Sequence, residues 1–460
     1  VIAGAAVIAV AVAGSAGAAP AASAAPAASA ASPEPDRSVC DVSGVSDTSG
    51  SLTVWHVNQA RGLELLESVA TEFERRFPAI DVELVNVSDF GGPIGVLRTG
   101  LPAPDVMLMG QDGMVNLPDS GRVTSASACM AADRSFEFDD LLPAVRTANS
   151  VDDVVWSMPF LVSTPVIYFD RNRYRAAGLD PDDAPDDLVE LREQLEVLLD
   201  EGGAAKGLIS GSPQWYVSVW AADLGVELAD DAGRTALGPM VFDLDHDELI
   251  DRLNQLSALA AAGLVTDIDL PDYADLLELV SPTAPAAMVA HTSGSMRDIY
   301  AFIEGGASPG AEVGVFPFPH SADGTVLGGT NAWLMAPPER EAAAWAFMED
   351  LASTATQARA GAIGYVPARL SSLDDPTLQQ EWAARPGLRV PTDVVLGIIP
   401  ESRHLGWVAG PEATVRWRLA QAGRDILGGR PPLEVLARAQ TDIARVLQAY
   451  HDLRAQATTP

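Results

Sequence analysis

Thr292, Ser293, Gly294 and Ser295 put three hydroxyls and a glycine between an apolar run and a segment of helical spacing. Hydroxyl side chains beside the free N–H groups of a helix start attract the oxygens of phosphates, carboxylates or sugars. The same residues also read as a helix cap, since Ser295 and Asp298 have capping-box spacing. A second group is aromatic: "SPQWYVSVW" (212–220) gathers Trp215, Tyr216 and Trp220. Such rings stack on a sugar face or enclose a glycerol or choline moiety, or else fill a core. Tyr365 follows a glycine in "GYVPAR", and Arg403 lies in the loop-like "PESRHLGW". A guanidinium in a cleft is a natural partner for phosphate through paired hydrogen bonds. These residues suit gripping a small polar molecule.

Patterns for changing such a molecule are weak. "GASPG" (306–310) matches a nucleophile elbow in form, but its Ser308 precedes Pro309 in a glycine-rich loop and not in a strand–turn–helix context. "DLDHDE" (243–248) begins like a calcium loop, yet Glu248 stands where the sharp turn requires glycine. The six histidines are scattered and two cysteines make no zinc site. No phosphate-binding glycine fingerprint is present. The expectation is a protein that is not an enzyme, with no metal and no cofactor.

Acidic residues outnumber basic ones 63 to 29, giving a net charge of -34 over 460 residues. A nucleic-acid partner needs a basic face, so none is expected. Anionic membranes are disfavoured for the same reason. Residues 1–19 are apolar and end in small residues, like the core and cleavage region of a secretory signal; a transmembrane anchor is the rival reading. Residues 20–49 read as a linker, rich in Ala, Ser and Pro through residue 38. In an exported chain, an isolated pair of cysteines, Cys40 and Cys129, most simply forms one disulfide. Lipid modification of Cys40 is disfavoured, because "RSVC" lacks the leucine and small residues of such a site.

The elements that must position these residues follow from periodicity. Strands are expected at 51–57, 80–87 and 104–110, the last apolar enough to be buried on both faces, with a helix over 62–78. Strand, helix, strand gives a parallel α/β unit. Residues 155–181 read as two extended pieces joined through Ser163 and Thr164, then a short helix. Helices are expected at 187–201, 247–263, 339–353 and 432–454. Strands return at 284–294, 314–320 and 327–337, with a turn at 364–369. Apolar strands early and late, around a helix-rich block, suggest two lobes of discontinuous pieces with a cleft where the chain crosses.

Taken in order, "LTVWH", "FERRFP", "PDVML", "WSMPFLVSTPVIYFDRNRYRAAGLDP", "PAAMVAHTSGS", "GVFPFP", "LGGTNAWLM" and "GYVPAR" resemble the extracellular solute-binding proteins of ABC importers. The likeness spans roughly residues 50–455, and is nearest to the component serving glycerol-3-phosphate and glycerophosphodiesters. It implies a two-lobe, type II periplasmic-binding-protein α/β fold with a hinge and an interlobe cleft. Residues 50–162 with 286–350 would form the N-terminal lobe, and 163–285 with 351–455 the C-terminal lobe.

The resemblance further implies that Ser163, Trp215, Thr292, Ser293, Gly329, Tyr365 and Arg403 face the ligand. Ser163 and Ser293 would bond its oxygens, Gly329 would offer its backbone N–H, Arg403 would meet the phosphate, and Trp215 and Tyr365 would close over the glycerol. Two positions depart from the pattern. Phe90 stands where an aromatic hydroxyl is expected, and Asp112 where a longer acid is. The implied partners are a small ligand and the membrane permease of an importer, for an exported, monomeric protein. Three other readings stand beside it: a binder of neutral di- or oligosaccharides using Trp215, Tyr216 and Arg403; a secreted hydrolase of such esters; and a cell-wall adhesion module.

Overall fold

The computed structural model describes residues 38–88, 102–110, 113–226, 242–268, 274–306, 308, 310–406 and 410–457. Phe90 and Asp112 lie outside the described residues. The alternating run near residue 50 forms β1 (Gly50–His56), parallel to both β2 (Ile80–Asn86) and β3 (Val106–Met109). All four residues of β3 are buried, as a continuously apolar strand requires. Helix α1 (Ala60–Arg76) links β1 to β2 and buries Leu65, Leu66, Val69 and Phe73, three or four residues apart.

After α2 (Ala126–Ala132) come a small hairpin, β4 (Ser150–Val151) and β5 (Val154–Val155), then β6 (Met158–Ser163) and β7 (Pro165–Asp170). Thr164 alone separates these last two strands, yet they lie in different sheets. The chain continues through α3 (Leu188–Asp200), β8 (Lys206–Ser210), α4 (Gln214–Asp223), α5 (Asp247–Ala261), β9 (Val265–Asp267), β10 (Ala286–Thr292), α6 (Met296–Glu304) and β11 (Val313–Pro317). It crosses back to β12 (Gly328–Leu334), followed by α7 (Pro338–Leu351), α8 (Thr354–Gly361), α9 (Glu412–Leu427) and α10 (Pro432–Ala457).

One five-stranded sheet has the order β2-β1-β3-β12-β6, the other β11-β7-β10-β8-β9. Each lobe is built on one sheet with its own apolar core. A third crossing follows α8, where Val366 bridges Val162 of β6. Beyond it, Leu378, Trp382 and Leu388 pack with Val166, Tyr168 and Ile209 of the second sheet.

Residues 286–317, grouped by sequence with the first lobe, supply β10 and β11 to the second sheet instead. The apolar run of β10 fits a buried strand of either sheet. Its antiparallel register with β7, which sets Val289 opposite Tyr168, places it. Cys40 and Cys129 are joined in a disulfide with Cα atoms 4.8 Å apart, tying the segment before β1 to α2. Among the described residues no helix is long and apolar enough to cross a membrane.

Candidate functional site

The tight crossing from β6 to β7 brings Ser163, Thr164 and Pro165 to the wall of a 340 Å³ cavity. The start of α4 contributes Gln214, Trp215 and Ser218, and the turn before it Ser212. Thr292 enters from the end of β10, and Gly328 and Gly329 from the start of β12. Leu405, Gly406, Glu412 and Arg416 complete the wall. Strand ends and two helix starts, those of α4 and α9, therefore converge where the chain passes between sheets, with hydroxyls, one aromatic ring and one ion pair.

Each member has a local reason for its place. Gly329 sits at φ +99°, where a Cβ would fall 1.8 Å from the Leu161 carbonyl oxygen, so no other residue lets β12 approach β6 this closely. Trp215 is half-buried and packs nearly perpendicular to the Phe318 ring with centroids 6.5 Å apart, which leaves part of the indole for a ligand. Tyr216 and Trp220, its neighbours in the aromatic cluster, are core residues 2% and 0% exposed. The Trp220 Nε1–H donates to the Pro319 carbonyl at 2.8 Å. Of the three rings, one faces the cavity.

The Thr-Ser-Gly-Ser loop divides its labour differently from its sequence reading. Thr292 both lines the cavity and caps the short turn Ser293–Ser295, its Oγ1 accepting the Gly294 N–H at 3.4 Å. Ser295 makes no side-chain cap at the start of α6, so the capping-box reading fails there. Ser293 is fully buried; its Oγ accepts the Thr164 N–H at 3.3 Å, and its own N–H donates to the Thr164 carbonyl at 2.9 Å. It braces the crossing and does not line the cavity. Behind Thr292, burial holds His291 below the ordinary imidazole range against the pull of Asp275, 3.6 Å away, so it brings no cation to the site near neutral pH.

Tyr365 lies against Gly294, where a Cβ would be 2.6 Å from its ring, and near Gly62 of α1. It stands at the junction of the lobes but outside the cavity wall. Arg403 also lies outside: its side chain is 45% exposed and pairs with Glu401 at 2.8 Å. The cation of the cavity is Arg416 on α9, 3.3 Å from Glu412 one turn earlier. Glu412 is nearly buried, with 6% of its side chain exposed, against 45% for Arg416. Sequence reasoning missed this pair because it sits in a helix of ordinary amphipathic appearance. Its one signal is the Glu–Arg spacing of four just after Gly410 and Pro411. Among the described residues, no cluster of three or more His, Cys, Asp or Glu could hold a metal ion.

The profile of the bacterial extracellular solute-binding proteins matches residues 58–358. The sn-glycerol-3-phosphate-binding periplasmic protein UgpB of Rhizobium meliloti (strain 1021) is 20% identical over 366 residues, 76% of this chain and 83% of that protein. The fold is similar to UgpB from Mycobacterium tuberculosis, solved in complex with glycerophosphocholine, with a TM-score of 0.71 and 19% identity over 88% of this chain and 100% of that one. It is similar too to the sugar-binding protein MalE from Xanthomonas citri, with a TM-score of 0.69 and 16% identity over 88% and 100% of the two chains. The profile match runs through both sheets, from just past β1 into α8, and on that breadth the chain belongs to the bacterial extracellular solute-binding protein family.

Proposed function

We propose that the protein is the capturing component of an ABC importer for a glycerophosphodiester, bound in the cavity at the β6–β7 crossing. The observation that carries this reading is the Arg416–Glu412 pair in the cavity wall. A phosphodiester bears a single negative charge, which the Arg416 guanidinium meets with paired hydrogen bonds. A phosphomonoester such as glycerol-3-phosphate approaches two negative charges, and the second would face the nearly buried Glu412 carboxylate. The hydroxyls of Ser163 and Thr292 suit the glycerol oxygens, and the free part of Trp215 suits its carbon face. Ser293 acts from behind as a brace. The relatives that bind glycerol-3-phosphate and glycerophosphocholine agree with the class.

In this reading the protein is exported, acts outside the membrane as a monomer and does no chemistry on its ligand. Contacts made only when the lobes close favour the closed shape, which a permease then recognises. A second reading, a neutral oligosaccharide, is favoured by the hydroxyl-rich wall and by the fact that Arg416 already has a carboxylate partner. Calorimetric titration with glycerophosphocholine, glycerol-3-phosphate and maltose separates them. Tightest binding by glycerophosphocholine is expected. Maltose binding without either phosphate would replace the first reading with the second.

A further inference from the structure

The C-terminal helix α10 belongs to both lobes. Its residues Val435, Leu436, Ala439, Ile443 and Leu447 are buried in the core of the second sheet. Less than a turn beyond Leu447, Tyr450 packs against the cluster of Trp55, Met107 and Trp333 on the first sheet. The Tyr450 hydroxyl donates to Asp119 Oδ2, and Arg454 pairs with Asp119 Oδ1 at 2.8 Å. Asp119 closes the short helix Asn116–Asp119, in the segment that follows β3.

Two features set this contact apart from a surface ion pair. Asp119 and Arg454 have only 10% and 24% of their side chains exposed, so water screens them less than it screens an open pair. The Tyr450 ring also lies flush on Gly410, where a Cβ would fall 2.1 Å from it. Gly410 sits between Gly406 and Glu412, both in the wall of the ligand cavity. The helix end thus touches the cavity-bearing loop of one lobe while its polar groups hold the other lobe. Gly410 is two residues from Glu412 of the cavity wall, so the contact ties that wall to the first lobe.

We propose that α10 is a strap across the cleft and that Asp119 is its catch, biasing the lobes toward closure before any ligand binds. A solute then meets a protein already partly committed to the binding-competent shape, and pays less to complete it. Asp119, Tyr450 and Arg454 are positioning residues in this role and do not touch the ligand.

Pulsed electron paramagnetic resonance on the full chain tests this without a ligand, so failure of the proposed ligand leaves the result intact. Spin labels go on Asp81→Cys in β2 and Glu193→Cys in α3, both exposed and on opposite lobes. The native cysteines are bonded to each other, so only the introduced thiols react. In a Tyr450→Phe/Arg454→Gln background the interlabel distances are expected to lengthen and broaden. An unchanged distribution in the folded variant overturns the proposal. A lower melting temperature with an unchanged distribution does the same, because it makes the contact ordinary packing. If the double variant does not fold, Tyr450→Phe alone removes only the hydroxyl and is read by the same distances.

Discussion

Arg416 and Arg403 carry the sharpest contrast at the residue scale. Both are arginines near the end of the chain, and both have 45% of the side chain exposed. Only Arg416 lines the cavity; Arg403 turns to Glu401. Replacing Arg416 by Ala is expected to weaken glycerophosphocholine binding by about 1.5 kcal/mol, roughly tenfold, the lower end for a hydrogen bond to a charged group because the site is partly wet. Arg403→Ala is expected to leave the affinity unchanged. Calorimetry on the two variants checks both, and the reverse ranking would return the phosphate to Arg403. The family resemblance named Ser163, Trp215, Thr292 and Gly329, which do line one cavity, and of these only the Thr292 hydroxyl loop and the aromatic run at Trp215 were also marked by their own residue types. Residue types could not separate Trp215 from Tyr216, since which face of α4 turns inward depends on the second sheet's core. Sequence reasoning named Arg403 and missed Arg416 for the same reason: direction is a tertiary property.

At the scale of elements, strands and helices were largely legible and their partners less so. The alternation of β1 and the apolar run of β3 gave the first parallel unit, and the crossing through Ser163 and Thr164 was marked by two extended runs. The sheet membership of β10 and β11 was not legible, because a strand buried on both faces carries no label for its neighbours. The junction of α2 with α7 makes a testable case of elements fixed by polar groups. Burial and the neighbouring Asp133 carboxylate push Glu349 of α7 up to about 8. Burial pushes Asp133 up as well, but hydrogen bonds from Ser135, Glu349 and Trp345 outweigh it and hold Asp133 at about 2. Glu349 therefore keeps a proton in the folded protein that the unfolded chain loses above its ordinary value of 4.5. The folded state binds more protons between about 4.5 and 8, so stability contributed by this group falls as pH rises through that window and levels above it. Glu349→Gln, which mimics the protonated form, is expected to flatten the decline in melting temperature across that range. Equal slopes for the two proteins would show that the proton is not held there.

For the whole molecule, the two-lobe α/β fold expected from the ordered motifs agrees with the two five-stranded sheets and with the solved structures the chain resembles. Apolar strands early and late around a helix-rich block pointed to two lobes, while the exact path between them depended on two further crossings, after β11 and after α8, that only the folded chain reveals. Those crossings explain why a cavity forms where it does: strands of both sheets end there, and short connections cannot fill the space between them. The acidic net charge of -34 fits a solvated surface around a compensated pocket, in which Arg416 faces Glu412. The central claim is that this pocket holds the solute. A crystal structure of the protein with glycerophosphocholine tests it most directly. The expected result is ligand density between the β6–β7 crossing and the start of α4, within hydrogen-bonding distance of Ser163, Thr292 and Arg416. Density elsewhere, with that pocket holding only water, would contradict it.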